Sequence, residues 1–336
     1  MIMMKLAIYT QPTDSYGILV IVDNLIRVAV NNGIPARHII QLSDAEEGEL
    51  VIPYGPLETK EMIDDGKSPI ISLLVDAISL GARNKLTHYI RVGHIFHKDF
   101  WGTIPRYIKW YFLDRNIAKN VRNIMLVSKT DGEYLKRYNK NLNIIICPNG
   151  CSNVKIKPHT KSPKYRLGIL SSWATENTFE ENNWFIKKYF LKYAKDNPDV
   201  ELILAGRGQL LKRLNNQPQV RVLGEISDLA DFFSNIDVFI AANPKGCGIL
   251  NRCLDAFAYK VPVIGNSGAF SGFRYMEDSY LVFNNYKEFV KQADALKNNS
   301  ELRLSLANNA IQAMQEYNDW DKNYTQLLDQ IKMIAF

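Results

Sequence analysis

At 336 residues, 46% of them hydrophobic and 23% charged with a net charge of +6, the chain has ordinary globular composition and the length of two compact domains rather than one. No apolar run nears the roughly 20 residues that span a bilayer, and residues 1–9 lead into a strand without the charged and apolar regions of a signal peptide, so a cytoplasmic protein is expected. Four cysteines, Cys147, Cys151, Cys247 and Cys253, are too few for a disulfide scaffold, and buried reduced thiols are expected ahead of a four-cysteine zinc site.

Short β-rich runs alternate with helical patterns along the chain, as in parallel sheets covered on both faces by helices. In the first half, strands are expected over 5–9, 38–41, 49–53, 69–75, 123–127 and 143–147, and helices over 19–31, 58–64, 103–120 and 130–138. Residues 83–122 hold nine Lys/Arg against Asp99 and Asp114, a net +7 where the whole chain carries +6. Phe96, Phe100, Trp101, Tyr107, Trp110, Tyr111 and Phe112 lie in the same stretch. Two readings stand: a surface for an anionic membrane or a phosphorylated acceptor, or an amphipathic helix with core aromatics and solvated lysines. His94 and His97 read as a surface or acceptor-cleft pair, since no carboxylate or cysteine lies at metal-ligand spacing.

Pro148, Asn149 and Gly150, followed by a polar, lysine-rich run to Lys164, mark a domain boundary. Beyond it, strands are expected over 165–170, 201–205, 220–223, 238–242, 261–264 and 281–283, and helices over 182–197, 229–235, 250–259, 287–298, 301–317 and 321–334. The expected division is 1–150, 151–318 and a C-terminal helix, 319–336, that packs back on the first domain. The architecture is α/β, with two doubly wound Rossmann-like domains facing across a cleft at the carboxyl ends of their strands. Asp319 and Asp321, around Trp320, read as helix capping rather than as a D-x-D metal site.

The most informative segment is 243–264, N-P-K-G-C-G-I-L-N-R-C-L-D-A-F-A-Y-K-V-P-V-I. Gly246 and Gly248 let the backbone approach a ligand, and free amides at a helix start near Ile249 present the positive end of its dipole, which suits a diphosphate. Leu250, Leu254, Phe257 and Ala258 fall on one apolar face, with Arg252 and Asp255 on the other. The arginine suits a phosphate and the carboxylate a ribose, or the two form an exposed ion pair of little worth; spacing leaves both open. Gly206-Arg207-Gly208 has the letters of a phosphate loop and equally those of a strand exit.

This segment resembles the donor-site motif of glycosyltransferase family four, the glycosyl transferases group 1, in the branch patterned G-x-G-[I/V]-x-x-[K/R]-x-L-[E/D]-A-x-A and then P-V-[I/V]. Other pieces agree in order: 167–184 (L-G-I-L-S-S-W-A-T-E-N-T-F-E-E-N-N-W), 202–208 (L-I-L-A-G-R-G), 220–228, Pro148-Asn149-Gly150 and Trp320. In the N-terminal half, Asp76, Ser79 and Arg83 are similar to a D-x-x-S-x-x-x-R, and Val127, Ser128 and Asp131 to a V-S-x-x-D. Two departures stand out. Where many members carry two glutamates eight apart, this chain has Cys247 and the shorter Asp255, and residues 171–177 lack the arginine and lysine that often follow the first C-domain strand.

The resemblance implies a GT-B fold and transfer of a hexose from a nucleotide diphosphate sugar to a glycan or lipid-linked acceptor, with retention and with neither metal nor other cofactor. It places the Gly248 and Ile249 amides, Arg252 and Lys245 on the leaving diphosphate and Asp255 on the ribose. Ser171, Ser172, Gly206, Arg207 and Gly208 join the donor side, and Asp76, at a strand end of the opposing domain, serves the acceptor side; Asp76 and Arg252 are the catalytic candidates. Expected partners are the donor, the acceptor and an anionic surface at the inner membrane face, with no nucleic acid. A GT-B nucleotide-sugar epimerase and a non-catalytic GT-B subunit, the latter encouraged by Cys247, are the alternatives.

Overall fold

The computed structural model describes residues 4–13, 16–93, 95–151 and 154–336, with the backbone alone at Tyr16. The N-terminal half holds β1 (Lys5–Tyr9), α1 (Tyr16–Asn31), β2 (Ala36–Ile39), β3 (Glu49–Pro53), α2 (Pro56–Asp64), β4 (Ser72–Val75), α3 (Ile78–Arg91), α4 (Lys98–Asn120), β5 (Asn123–Leu126), α5 (Lys129–Leu135) and β6 (Asn143–Ile146). Its strands are parallel, ordered β2-β1-β3 and β4-β5-β6, and a bridge between Tyr54 and Leu73 joins the two groups. Leu6 to Tyr9 are almost fully buried, the continuous apolar run of a strand covered on both faces.

The C-terminal half contains β7 (Tyr165–Leu170), α6 (Glu176–Phe185), a π turn (Ile186–Phe190), α7 (Leu191–Asp196), β8 (Val200–Ala205), β9 (Val220–Gly224), α8 (Leu229–Ser234), β10 (Val238–Ala241), α9 (Asn251–Ala258), β11 (Val263–Asn266), β12 (Tyr280–Phe283), α10 (Tyr286–Asn298), α11 (Ser300–Tyr317) and α12 (Trp320–Ala335). Its six parallel strands run β12-β11-β10-β7-β8-β9, the doubly wound order that reverses between β7 and β10. The chain is thus two Rossmann-like α/β halves.

α12 crosses back to the first half. Trp320, Tyr324, Leu327, Leu328 and Ile331 bury themselves among Leu6, Ile8, Val22 and Leu25, each large side chain contributing roughly 1.5–3 kcal/mol. Asp319 caps this helix by accepting the Lys322 amide at 2.8 Å, and Asp321 pairs with Arg27 at 2.7 Å, so the D-W-D letters serve a helix start.

Two helical stretches escape the periodicity reading: α3, and the first turns of α6, which begins at a Thr175–Thr178 capping box ahead of the expected 182. Their buried faces mix polar and apolar groups: Ser79, Lys85 and His88 are buried on α3 beside Leu80 and Tyr89, and Glu180, Glu181, Asn182 and Asn183 on α6 beside Phe179, Trp184 and Phe185. Lys85 there donates to Asn177, and the His88 ring meets Trp184 edge-on at 4.5 Å. α4 begins five residues before the expected 103, where the His97 ring accepts the Asp99 amide at 3.3 Å as its cap; His94 lies outside the described residues.

Candidate functional site

The doubly wound order sets the loops after β7 and β10 side by side at the carboxyl end of the C-terminal sheet. Arg252, near the start of α9, reaches the end of β7, donating to the Leu170 carbonyl at 3.1 Å and to Ser171 Oγ at 2.6 Å. Asn182 of α6 holds the same hydroxyl at 2.9 Å. Beside it, Lys245 pairs with the buried Glu181 at 2.8 Å. Burial disfavours both cations and lowers the Arg252 pKa, but at Lys245 the Glu181 carboxylate outweighs burial and the ammonium stays charged.

Asp255 does not pair with Arg252, which is committed to β7. Among the described residues no hydrogen bond or ion pair reaches its carboxylate, and burial raises its pKa to about 6.

Asp76 forms the opposite wall, at the end of β4. Val75 sits at φ 68° while the Asp76 amide bonds back to the Leu74 carbonyl at 2.8 Å, a classic γ-turn on a β-branched residue. Strain of this kind costs on the order of 1–3 kcal/mol and persists only where its surroundings overdetermine it. Here Asp131 accepts the Ala77 amide at 2.9 Å and the Ser128 hydroxyl, while Asp114 accepts the Ser79 amide at 2.9 Å and its hydroxyl at 2.6 Å. The D-x-x-S and V-S-x-x-D letters are therefore one buried network that fixes the start of α3. Burial, with Asp131 adding to it, raises Asp76 to about 7.

The two walls touch. Asp131 also accepts the Gly248 amide at 2.9 Å, Cys247 Sγ lies 3.8 Å from Asp76 Oδ2, and Asn84 donates to the Gly246 carbonyl at 2.9 Å. Gly248 has φ 61°, the left-handed region that favours glycine, and a Cβ there would stand 3.2 Å from Asp76, so a side chain at this approach is strained and crowded. Two expectations need correcting. The Gly248 amide is not an open anion donor in this structure, because the opposing domain's carboxylate occupies it. α9 starts at Asn251 with Leu250 as its N-cap, so Ile249 precedes the helix rather than opening it.

The remaining expected donor residues lie around the end of β8. A Cβ on Gly206 would fall 1.8 Å from the Ser171 carbonyl oxygen and one on Gly208 would fall 2.2 Å from the Trp173 backbone, which accounts for both glycines by close packing. Arg207 and Ser172 are exposed nearby. A cavity of about 360 Å³ is lined by Asp76, Lys85, Arg106, Trp110, Asn177 and Lys245. A larger one, about 880 Å³ between β6 and α12, contains none of the expected site residues. Sequence reasoning missed Glu181, Asn182 and Lys85 because they sit on the two helices that escape the periodicity reading, and it had Asp131 only as a motif letter.

Residues 166–299 match the family model Glycosyl transferases group 1. Comparison with curated proteins returned no match. Among solved structures, the chain is similar to sucrose-phosphate synthase from Thermosynechococcus elongatus, with 12% identity, TM-score 0.74 and 99% of each chain covered. Anabaena HepE in complex with UDP gives 12% identity and TM-score 0.68 over 98% of this chain and 100% of that one. A Staphylococcus aureus TarM mutant, in complex with UDP among other ligands, gives 14% identity and TM-score 0.62 over 84% of this chain but only 55% of TarM, so the chain spans about half of that protein. The matched segment contains the β7 end, the 243–250 loop and α9, so residues 166–299 are similar to glycosyl transferases group 1, and the chain as a whole shares the GT-B fold of these structures.

Proposed function

We propose that this chain transfers a hexose from a nucleotide diphosphate sugar to a hydroxyl of a glycan or lipid-linked acceptor, with retention and without a metal ion. The observation that carries the reading is the pair of cations held at the sheet's switch point, Arg252 on the end of β7 and Lys245 on Glu181, the second of which lines a cavity of about 360 Å³ together with Asp76. As the glycosidic bond breaks, negative charge gathers on the leaving diphosphate. Cations already gathered in a desolvated site stabilise that charge, so Arg252 and Lys245 fill the role a metal would otherwise take. Arg252 now bonds only neutral oxygens of Leu170 and Ser171, which a diphosphate would replace with charge-assisted bonds. The Gly248 and Ile249 amides join when domain motion withdraws Asp131.

Asp255 accepts the ribose hydroxyls and Ser171 the phosphate or sugar, with Ser172 and the 206–208 turn at the rim. Retention sets the acceptor hydroxyl on the side of the departing diphosphate, the side on which Asp76 faces the 245–252 loop. Structures of HepE with UDP-glucose and of TarM with UDP support a uridine diphosphate sugar as the first donor to try.

Three outcomes are expected. Arg252→Ala should raise the dissociation constant of the nucleotide diphosphate roughly 10- to 150-fold, the loss of a charged hydrogen bond worth about 1.5–3 kcal/mol, and leave that of the nucleoside unchanged; equal losses by calorimetry would remove the arginine from the phosphates. Asp255 lies above its ordinary 3.8 in the native state, so its charged form opposes folding above about pH 6, and below about pH 4, where both states are protonated, the penalty vanishes. Asp255→Asn should then stabilise the protein by about 1–3 kcal/mol at pH 7.5 and by nothing at pH 4 in denaturant unfolding, while weakening ribonucleotide binding more than binding of its 2′-deoxy form. For the transfer step, kcat/KM should climb through about pH 7 as Asp76 ionises and should drop about 10²- to 10⁴-fold in Asp76→Asn with the rise abolished. A flat native profile with an active Asn variant would take Asp76 out of proton transfer.

A further inference from the structure

We propose that the outer face of α4, with the two residues Ile95 and Phe96 just before it, is a docking surface for an anionic lipid bilayer. Phe96 is 91% exposed, Trp101 62%, Ile108 50% and Phe112 60%. Trp101, Ile108 and Phe112 are spaced seven and four apart, so they form one stripe along the helix. Large apolar side chains in a continuous exposed line are not the scattered kind that needs no explanation.

The charges around the stripe identify its partner. Lys98, Lys109, Arg115 and Lys119 are exposed on α4. The two acids of this helix are both turned inward and used: Asp99 by Lys85 at 2.8 Å and Arg106 at 2.9 Å, Asp114 by Ser79. The outward face of residues 95–120 therefore presents aromatic and aliphatic groups flanked by cations alone, the composition of a helix that lies in a headgroup layer. No helix among the described residues is long and apolar enough to cross a membrane, so the contact is peripheral.

The opposite face of α4 contributes Thr103, Arg106 and Trp110 to the cleft cavity that Asp76 shares. A bilayer on the outer face would lie about one helix diameter, roughly 10 Å, from that cavity, within reach of a sugar on a lipid headgroup. This consequence rests on the proposed transfer reaction; the docking itself does not.

The test is co-sedimentation with vesicles of phosphatidylcholine alone or mixed with phosphatidylglycerol, at low and at physiological salt, with nucleotide diphosphate binding measured in parallel. Native protein should bind the anionic vesicles at least tenfold more than the neutral ones and weaken with salt, since the attraction fades within a Debye length of about 8 Å. Changing Lys98, Lys109, Arg115 and Lys119 to Gln, or Phe96 and Phe112 to Ser, should each reduce binding at least tenfold with thermal unfolding and nucleotide binding unchanged, because all six side chains are exposed. Failure of native protein to sediment at low salt, or equal sedimentation of both variants, would overturn the proposal. So would a dimer in solution that dissociates in the Phe96→Ser, Phe112→Ser variant, which would assign the stripe to a second copy. Lost vesicle binding with intact nucleotide binding tests docking alone, whereas absent nucleotide binding by the native protein tests the donor reading.

Discussion

One carboxylate ties the two halves of the candidate cleft together. Asp131, fully buried, receives the Ala77 amide, the Ser128 hydroxyl and, from the opposite domain, the Gly248 amide. Burial raises its pKa while these donors oppose the rise. Removing any one partner would leave a buried group short of a bond, at about 1–3 kcal/mol. The same carboxylate anchors the start of α3, directly after the strained Val75 turn, so the direction in which Asp76 points and the position of the 245–250 loop are set together.

That coupling gives domain motion a chemical consequence. While Asp131 holds Gly248, the amide most suited to a diphosphate is already used, and Arg252 and Lys245 rest on internal partners. On the proposed reading, a diphosphate that recruits all three would have to loosen the bond between the domains. Asp255 shows the other side of the arrangement: a half-buried acid with no hydrogen-bond partner among the described residues costs stability in its charged form.

Much of this was legible in the chain. Apolar runs announced the parallel strands, and the apolar face of α9 follows from Leu254, Phe257 and Ala258, all of which are buried. Gly248, Arg252 and Asp255 stood out by chemistry and spacing. Two things were hidden for a common reason. α3 and the start of α6 bury polar side chains alongside apolar ones, which blurs the apolar stripe by which helices are found, and Glu181, Asn182 and Lys85 disappeared with them. The partner of Arg252 was equally unreadable: spacing offered Asp255, three residues away, whereas the fold supplies Ser171, 81 residues away. The outward stripe of α4 was visible as a basic aromatic composition, but only the fold separates Trp101, Ile108 and Phe112 outside from Leu113 and Ile117 inside.

The account stands most directly on where a nucleotide diphosphate binds. Hydrogen exchange of the native protein with and without UDP, or whichever of GDP, ADP or TDP binds, should show protection over 245–255 and 170–182, with residues 76–85 changing as the bond from Asp131 to Gly248 is exchanged. Protection confined to other segments, or none with any of the four diphosphates, would contradict it.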